Sequence, residues 1–174
     1  LCICISRFSH ADIQEITITS SSAIQASFQF IKDESGDLNF AQVAALSDEL
    51  WQEEPSGSNN FGITTAPYWL RFKLRNSSDD NLNLVTVLDY PQLDDVIFYE
   101  LSGSHKIREL ATGDTRPFYP RDVDHPIMSL RVSIAPKELK TIYIRVQTDG
   151  SMILPLRIWR DNNYFTEAAK EQKL

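Results

Sequence analysis

Residues 68–76 read YWLRFKLRN, and within this run Trp69, Arg71, Lys73 and Arg75 occupy alternate positions. A β-strand sends successive side chains to opposite faces, so these four share one face while Tyr68, Leu70, Phe72 and Leu74 share the other. The apolar set reads as core, and the polar set as an outer surface that carries a large aromatic among three cations. The same alternation recurs downstream. Arg131 stands out of phase with Met128, Leu130, Val132 and Ile134; Tyr143 and Arg145 with Ile142, Ile144 and Val146; and Arg157 and Trp159 with Leu154, Leu156 and Ile158. Four strands thus present arginine outward, three of them with an aromatic residue beside it. On one exposed sheet face they would form a groove for polar, flat or anionic ligands, with aromatic rings stacking on sugars and guanidinium forks pairing with anions. A solvated face, whose long stems cover apolar area while their charges pair with acids, is the other reading of the same residues.

Signatures of catalysis do not stand out. The histidines, His10, His105 and His125, have no metal-ligand spacing, and the sequence holds no Gly-x-Ser-x-Gly elbow, phosphate loop or zinc pattern. Both cysteines, Cys2 and Cys4, fall in the first four residues, too close together to staple a distant loop. Asp79–Asp80 and Asp94–Asp95 sit at turns or strand starts, where aspartate caps backbone groups or guards a sheet edge. Asp122 and Asp124 lack the repeated oxygen spacing of a calcium loop. The residues therefore favour binding over catalysis, with no metal and no cofactor. A small glycan-active hydrolase, which would need two carboxylates about 5–9.5 Å apart in a cleft, is the alternative from a different class.

The elements that would position these residues are short and mostly extended. At 174 residues and 42% hydrophobic content, the chain can bury a single core. Its net charge of −7 argues against a nucleic-acid partner, which would demand a basic surface. LCICISRFSHA, residues 1–11, resembles the tail of a secretory signal ending in small residues, with a retained N-terminal strand as the alternative. No run of 18 apolar residues is present, so the expectation is a soluble, exported domain. Residues 12–26, rich in Ser, Thr and Gln, read as a linker or weak edge strand. FAQVAALSDELW places Phe40, Val43, Ala44 and Leu50 near helical spacing and predicts one short helix over about 40–50. Thereafter LNLVTVLDY, DDVIFYEL, KIREL, PIMSLRVSI, KTIYIRVQT and ILPLRIW are β-branched, aromatic-rich runs, most of them separated by Pro, Gly, Asn or Asp. Such spacing predicts an all-β antiparallel sandwich or barrel. The closing YFTEAAKEQKL turns helical and charged, as would suit a tail leaving the domain over 161–174.

The order of FIKDESGDLNFAQV, FGITTAPYWLRFKLRNSS, LDYPQLDDVIFYEL, ATGDTRPFYPRDVDHP and TIYIRVQTDGSMILPLRIW, over about 27–160, resembles one family. It is similar to the second type of extracytoplasmic sensor domain of bacterial seven-transmembrane receptors with diverse intracellular signalling modules. Tyr68-Trp69-Leu70-Arg71-Phe72, Asp94-Asp95-Val96 with Tyr99, and Gly113-Asp114 followed by Pro117-Phe118 and Arg121 carry the likeness most specifically. The resemblance implies a jelly-roll β-sandwich similar to carbohydrate-binding modules, located in the periplasm and tethered to the inner membrane in the full-length protein. It further implies downstream transmembrane helices and a cytoplasmic output such as a histidine kinase or diguanylate cyclase, and a carbohydrate or other small polar ligand. A homodimer or a docked partner sensor is the alternative mode of regulation. By motif, Trp69, Arg71, Asp114 and Arg121 become the first candidates for ligand contact, the alternative being that Trp69 packs under a loop and that the Gly113-Asp114 turn pairs with Arg121 to pin that loop. Tyr143, Arg145, Arg157 and Trp159 join them from the outward faces.

Overall fold

The β-branched and aromatic runs become strands in the computed structural model, which describes residues 15–17, 24–53, 59–115, 128–162 and 164. In chain order these are β1 (Glu15–Thr17), β2 (Ile24–Gln25), β3 (Gln29–Lys32), β4 (Gln52–Glu53), β5 (Asn60–Ile63), β6 (Tyr68–Arg75), β7 (Leu82–Leu88), β8 (Asp95–Ser102), β9 (His105–Thr112), β10 (Met128–Ile134), β11 (Leu139–Gln147), β12 (Ser151–Ile153) and β13 (Leu156–Arg160). Between β3 and β4 lie a five-residue helix, α1 (Phe40–Ala44), and a 3-10 turn at Asp48–Leu50.

The strands partition into a seven-stranded sheet ordered β4-β3-β6-β11-β8-β9, with β1 beside β6, and a four-stranded sheet ordered β10-β7-β13-β2. A β5–β12 pair stands apart from both. Taking β2, β6, β7, β8, β9, β10, β11 and β13 as the principal strands, β2-β13-β7-β10 in one sheet and β6-β11-β8-β9 in the other is the jelly-roll order. Pairing is antiparallel throughout except at β1, which runs parallel to the end of β6 with Glu15 against Lys73. β2 pairs with β13, so the four-stranded sheet already takes in Ile24 and Gln25.

The core lies between the two sheets. Leu70, Phe72 and Leu74 of β6, Ile142, Ile144 and Val146 of β11, and Phe98 of β8 meet Leu84 and Leu88 of β7, Leu130 and Val132 of β10, and Leu156 and Ile158 of β13. Those of β6, β10, β11 and β13 are residues that the alternation assigned inward. One ion pair joins the same inner face: Lys140 Nζ lies 2.5 Å from Glu100 Oε1, with both side chains nearly sealed from solvent. Asn76, buried just after β6, donates its amide to the carbonyls of Asp80, Ile134 and Ala135 and so ties the end of β6 to the end of β10.

The predicted helix over 40–50 is shorter than its pattern. α1 ends at Ala44, Ala45 caps it, and Ser47 returns to extended backbone before the 3-10 turn. Leu50, expected on the apolar stripe, is exposed as a result.

The Lys140–Glu100 pair yields a stability test. Glu100→Gln leaves a buried ammonium without its counter-charge and is expected to cost about 3–5 kcal/mol by urea unfolding, whereas Glu100→Leu combined with Lys140→Met recovers most of that loss.

Candidate functional site

β6 does place Trp69 and Arg71 on its outer face, and the sheet's register builds a patch around them. Tyr143 is the cross-strand partner of Arg71, and Arg145 of Trp69. On the far side of β11, Tyr99 of β8 faces Tyr143 and Ile97 faces Arg145. Directly paired residues share a face, so Trp69, Arg71, Tyr143 and Arg145 form one block with Ile97 and Tyr99 beside it.

This block is not an open groove. The segment from Leu38 to Trp51 lies over it and makes a second, smaller core of Val43, Trp51, Trp69, Tyr99, Leu101 and Tyr143. Phe40 stacks on Tyr99 at 4.5 Å between ring centroids and meets Tyr143 edge-on at 5.6 Å. Trp69, which the sequence left either exposed in a groove or packed under a loop, is 0% exposed and lies against Tyr99. The reason is physical: a face carrying Trp69, Tyr99 and Tyr143 is too apolar to leave in water, and the apolar side of the 38–51 segment covers it.

Local chemistry fixes this cover at both ends. At its start, the Asp33 carboxylate accepts hydrogen bonds from the Ser35 hydroxyl and from the N–H groups of Ser35, Gly36 and Leu38. Burial alone would raise the Asp33 carboxyl, but the bonds from Ser35, Leu38 and Gly36 outweigh it and hold the pKa below its ordinary value. Asn39 then starts α1 with a capping box, its side chain accepting from Gln42 N–H while the Gln42 side chain accepts from Asn39 N–H.

At the other end the fastening is Arg71. Its Nη1 lies 2.7 Å from Asp48 Oδ1 on the 3-10 turn, its Nε donates to Gln29 Oε1 at 2.9 Å, and its Cζ sits 4.2 Å over the Trp51 ring. The Arg71 side chain is 3% exposed, whereas that of Asp48 is 54% exposed, so the carboxylate reaches in from the surface. Arg71 Nη2 and the indole nitrogens of Trp51 and Trp69 are buried with no hydrogen-bond acceptor among the described residues. Burial pushes the Tyr143 phenol pKa up, only partly offset by the Arg71 charge and hydrogen bond beside it.

The other sequence-predicted residues go elsewhere. Arg145 is half-buried on the same sheet, 3.3 Å from Asp95 and donating to Gln147 at 2.8 Å. Asp114 is exposed, and its N–H donates to the Leu93 carbonyl. Gly113 beside it has φ 142°, and a Cβ there would fall 2.1 Å from the Asp94 carbonyl oxygen, so this turn admits glycine alone. Asp94 accepts from the Thr148 hydroxyl and the Asp149 N–H. The Asp94 and Gly113-Asp114 motifs therefore hold loops together. Arg121 lies outside the described residues.

Arg157 and Trp159 belong to the other sheet. Sequence alternation put them outward, as found, but β10 and β13 pair within the four-stranded sheet, so their outer faces cannot join those of β6 and β11 in one groove. Arg157 pairs with Asp89 at 2.8 Å, Arg131 lies 3.5 Å from Asp161, and Trp159 packs with Val85, Val87 and Tyr164. Sequence reasoning missed Asp48, Trp51, Phe40 and Gln29. The one available signal was the apolar side of FAQVAALSDELW, which needs a surface to cover.

A jelly roll with a covered aromatic and cationic block on one sheet defines an all-β sandwich domain. The sequence model of the family described as 7TMR-DISM extracellular 2 matches residues 25–160, and the chain belongs to that family. It is thus the extracellular sensor domain of a seven-transmembrane receptor, periplasmic and tethered to the membrane in the full-length protein, with transmembrane and cytoplasmic domains as partners. No curated protein matches the chain. Among solved structures, a Ruminococcus gnavus β-glucuronidase is similar at 7% identity and TM-score 0.46, over 82% of this chain and 29% of that one. A family GH115 4-O-methyl-α-glucuronidase with specificity for decorated arabinogalactans is similar at 12% identity and TM-score 0.32, over 67% of this chain and 15% of that one. The chain spans less than a third of either protein, and likenesses at this level carry no functional argument.

Two outcomes follow from the covered site. Trp69→Ala should cost about 3–5 kcal/mol in chemical denaturation, as for a core aromatic, whereas a groove residue would fall within about 0.5 kcal/mol of wild type. Because Asp33 has its pKa lowered on folding, its contribution is present above the unfolded value of about 4 and is lost as pH falls through the folded value. Stability measured below about pH 4 should therefore drop more steeply in wild type than in Asp33→Asn.

Proposed function

We propose that this domain is the ligand-binding input of its receptor, that it binds rather than catalyses, and that its ligand is a carbohydrate or related small polar molecule. The observation that supports this reading is the block of Trp69, Arg71, Tyr143 and Arg145, brought together by strand register and covered by a segment that the Asp48–Arg71 ion pair fastens to the sheet. Aromatic faces beside guanidinium groups suit sugar rings and their polar substituents.

The signal, on this reading, is a change in the cover. Ligand that contacts the block favours a lifted arrangement of residues 38–51 over the seated one, and only that difference in affinity can shift the receptor toward or away from signalling. The transmembrane helices and a cytoplasmic output of the histidine kinase or diguanylate cyclase kind would read the shift.

A thermal-shift and glycan-array screen of the purified domain tests the reading, with Arg145→Ala as the variant because Arg145 is the half-buried member of the block. At least one sugar should raise Tm in wild type, and Arg145→Ala should weaken its binding roughly tenfold or more. If no sugar stabilises either protein and sedimentation shows a dimer, the carbohydrate reading is wrong and the domain acts by association.

A further inference from the structure

Arg71 is a buried, permanently charged group whose ion-pair partner arrives from the surface. It spends Nη1 on Asp48 and Nε on Gln29 and also hydrogen-bonds the Tyr143 phenol, while Nη2 remains without an acceptor among the described residues. The ring on which its guanidinium lies, Trp51, also has an unpartnered indole N–H, and so does Trp69, two residues along the same strand face. Three buried donors in one apolar cluster lack acceptors, and the one carboxylate present is carried on the cover segment, not on the sheet. A buried unpaired N–H is costly, so a cluster of them marks a place where an acceptor group gains more than it would in water.

We propose that Arg71, with the indole N–H groups of Trp51 and Trp69, is a carboxylate-recognition site, that Asp48 occupies it as an internal surrogate, and that a ligand carboxylate exchanges for Asp48. Exchange conserves charge around Arg71: one carboxylate leaves the guanidinium as another arrives, and Asp48, already more than half exposed, is released into water. The hydration that Asp48 regains offsets the hydration that the incoming carboxylate gives up. The exchange breaks the ion pair by which the 3-10 turn is fastened to β6, so an acidic ligand lifts the cover where a neutral one does not. This rests on the sugar-binding reading for the rest of the ligand, and it narrows that ligand to one that bears a carboxylate.

The test uses a matched pair of probes, D-galacturonate and D-galactose, with acetate as the bare carboxylate. The 15N spectrum of the protein reports three indole N–H groups, of which Trp159, on the opposite sheet, serves as the internal reference. In wild type, galacturonate should shift the Trp51 and Trp69 resonances and leave Trp159 in place, and galactose should shift neither. In Asp48→Ala, which removes the competing carboxylate, galacturonate should bind roughly tenfold more tightly or better, because the competent state no longer has to be won from Asp48.

If the variant does not fold, the wild-type spectra decide alone. Equal shifts with galactose and galacturonate overturn the carboxylate exchange while leaving the sugar reading standing. Shifts with acetate as large and as tight as those with galacturonate uphold the exchange and remove the sugar ring from the account. No shift of Trp51 or Trp69 with galacturonate or acetate overturns the exchange outright, whatever neutral sugars do elsewhere on the domain.

Discussion

One buried charge organises the outer half of this domain. Arginine cannot shed its proton inside a protein, so Arg71, 2% exposed on the sheet, must be given a counter-charge and hydrogen-bond acceptors where it lies. Gln29 from the neighbouring strand supplies one acceptor and the Trp51 ring a face, and among the described residues the negative charge paired with it is that of Asp48, on the 3-10 turn. The capped helix, the Asp33 loop and the packing of Phe40 and Val43 all serve to bring that carboxylate into position. Remove the charge from β6 and the cover loses the ion pair that seats its 3-10 turn.

Much of the fold was legible in the sequence because alternation is a local property. Leu70, Phe72 and Leu74 face the inter-sheet core as their parity requires, and the family-specific order of motifs carried the jelly roll. Alternation says which residues share a face, however, and says nothing of what lies over that face. Trp69 illustrates the gap: it stands opposite the core residues and is still wholly buried, because the cover comes from residues 38–51, a separate segment earlier in the chain.

The composite groove failed for a related reason. The jelly roll deals β6 and β11 to one sheet and β10 and β13 to the other, so their outward arginines end on opposite sides of the molecule. What register did bring together, Tyr143 against Arg71 and Arg145 against Trp69, follows from hydrogen-bond pairing between distant strands, which no local pattern encodes. The Gly113-Asp114 motif was visible as a motif, but its work is steric: the backbone passes so close to Asp94 that a side chain would collide. The two outer faces now have distinct occupants. Residues 38–51 cover the seven-stranded sheet, and Trp159 with Tyr164 covers Val85 and Val87 on the four-stranded one. Any signal between them crosses a close-packed core, which moves as discrete rearrangements and not as a soft continuum.

The central claim is that Asp48 and Arg71 form one energetic unit that seats the cover. A double-mutant cycle of Asp48→Asn and Arg71→Met, read by urea unfolding, measures it most directly. The account predicts a coupling energy of about 1–3 kcal/mol, with the double variant more stable than the sum of the single losses implies. Losses that add to within about 0.3–0.5 kcal/mol would contradict it and leave Asp48 as an incidental neighbour on the surface.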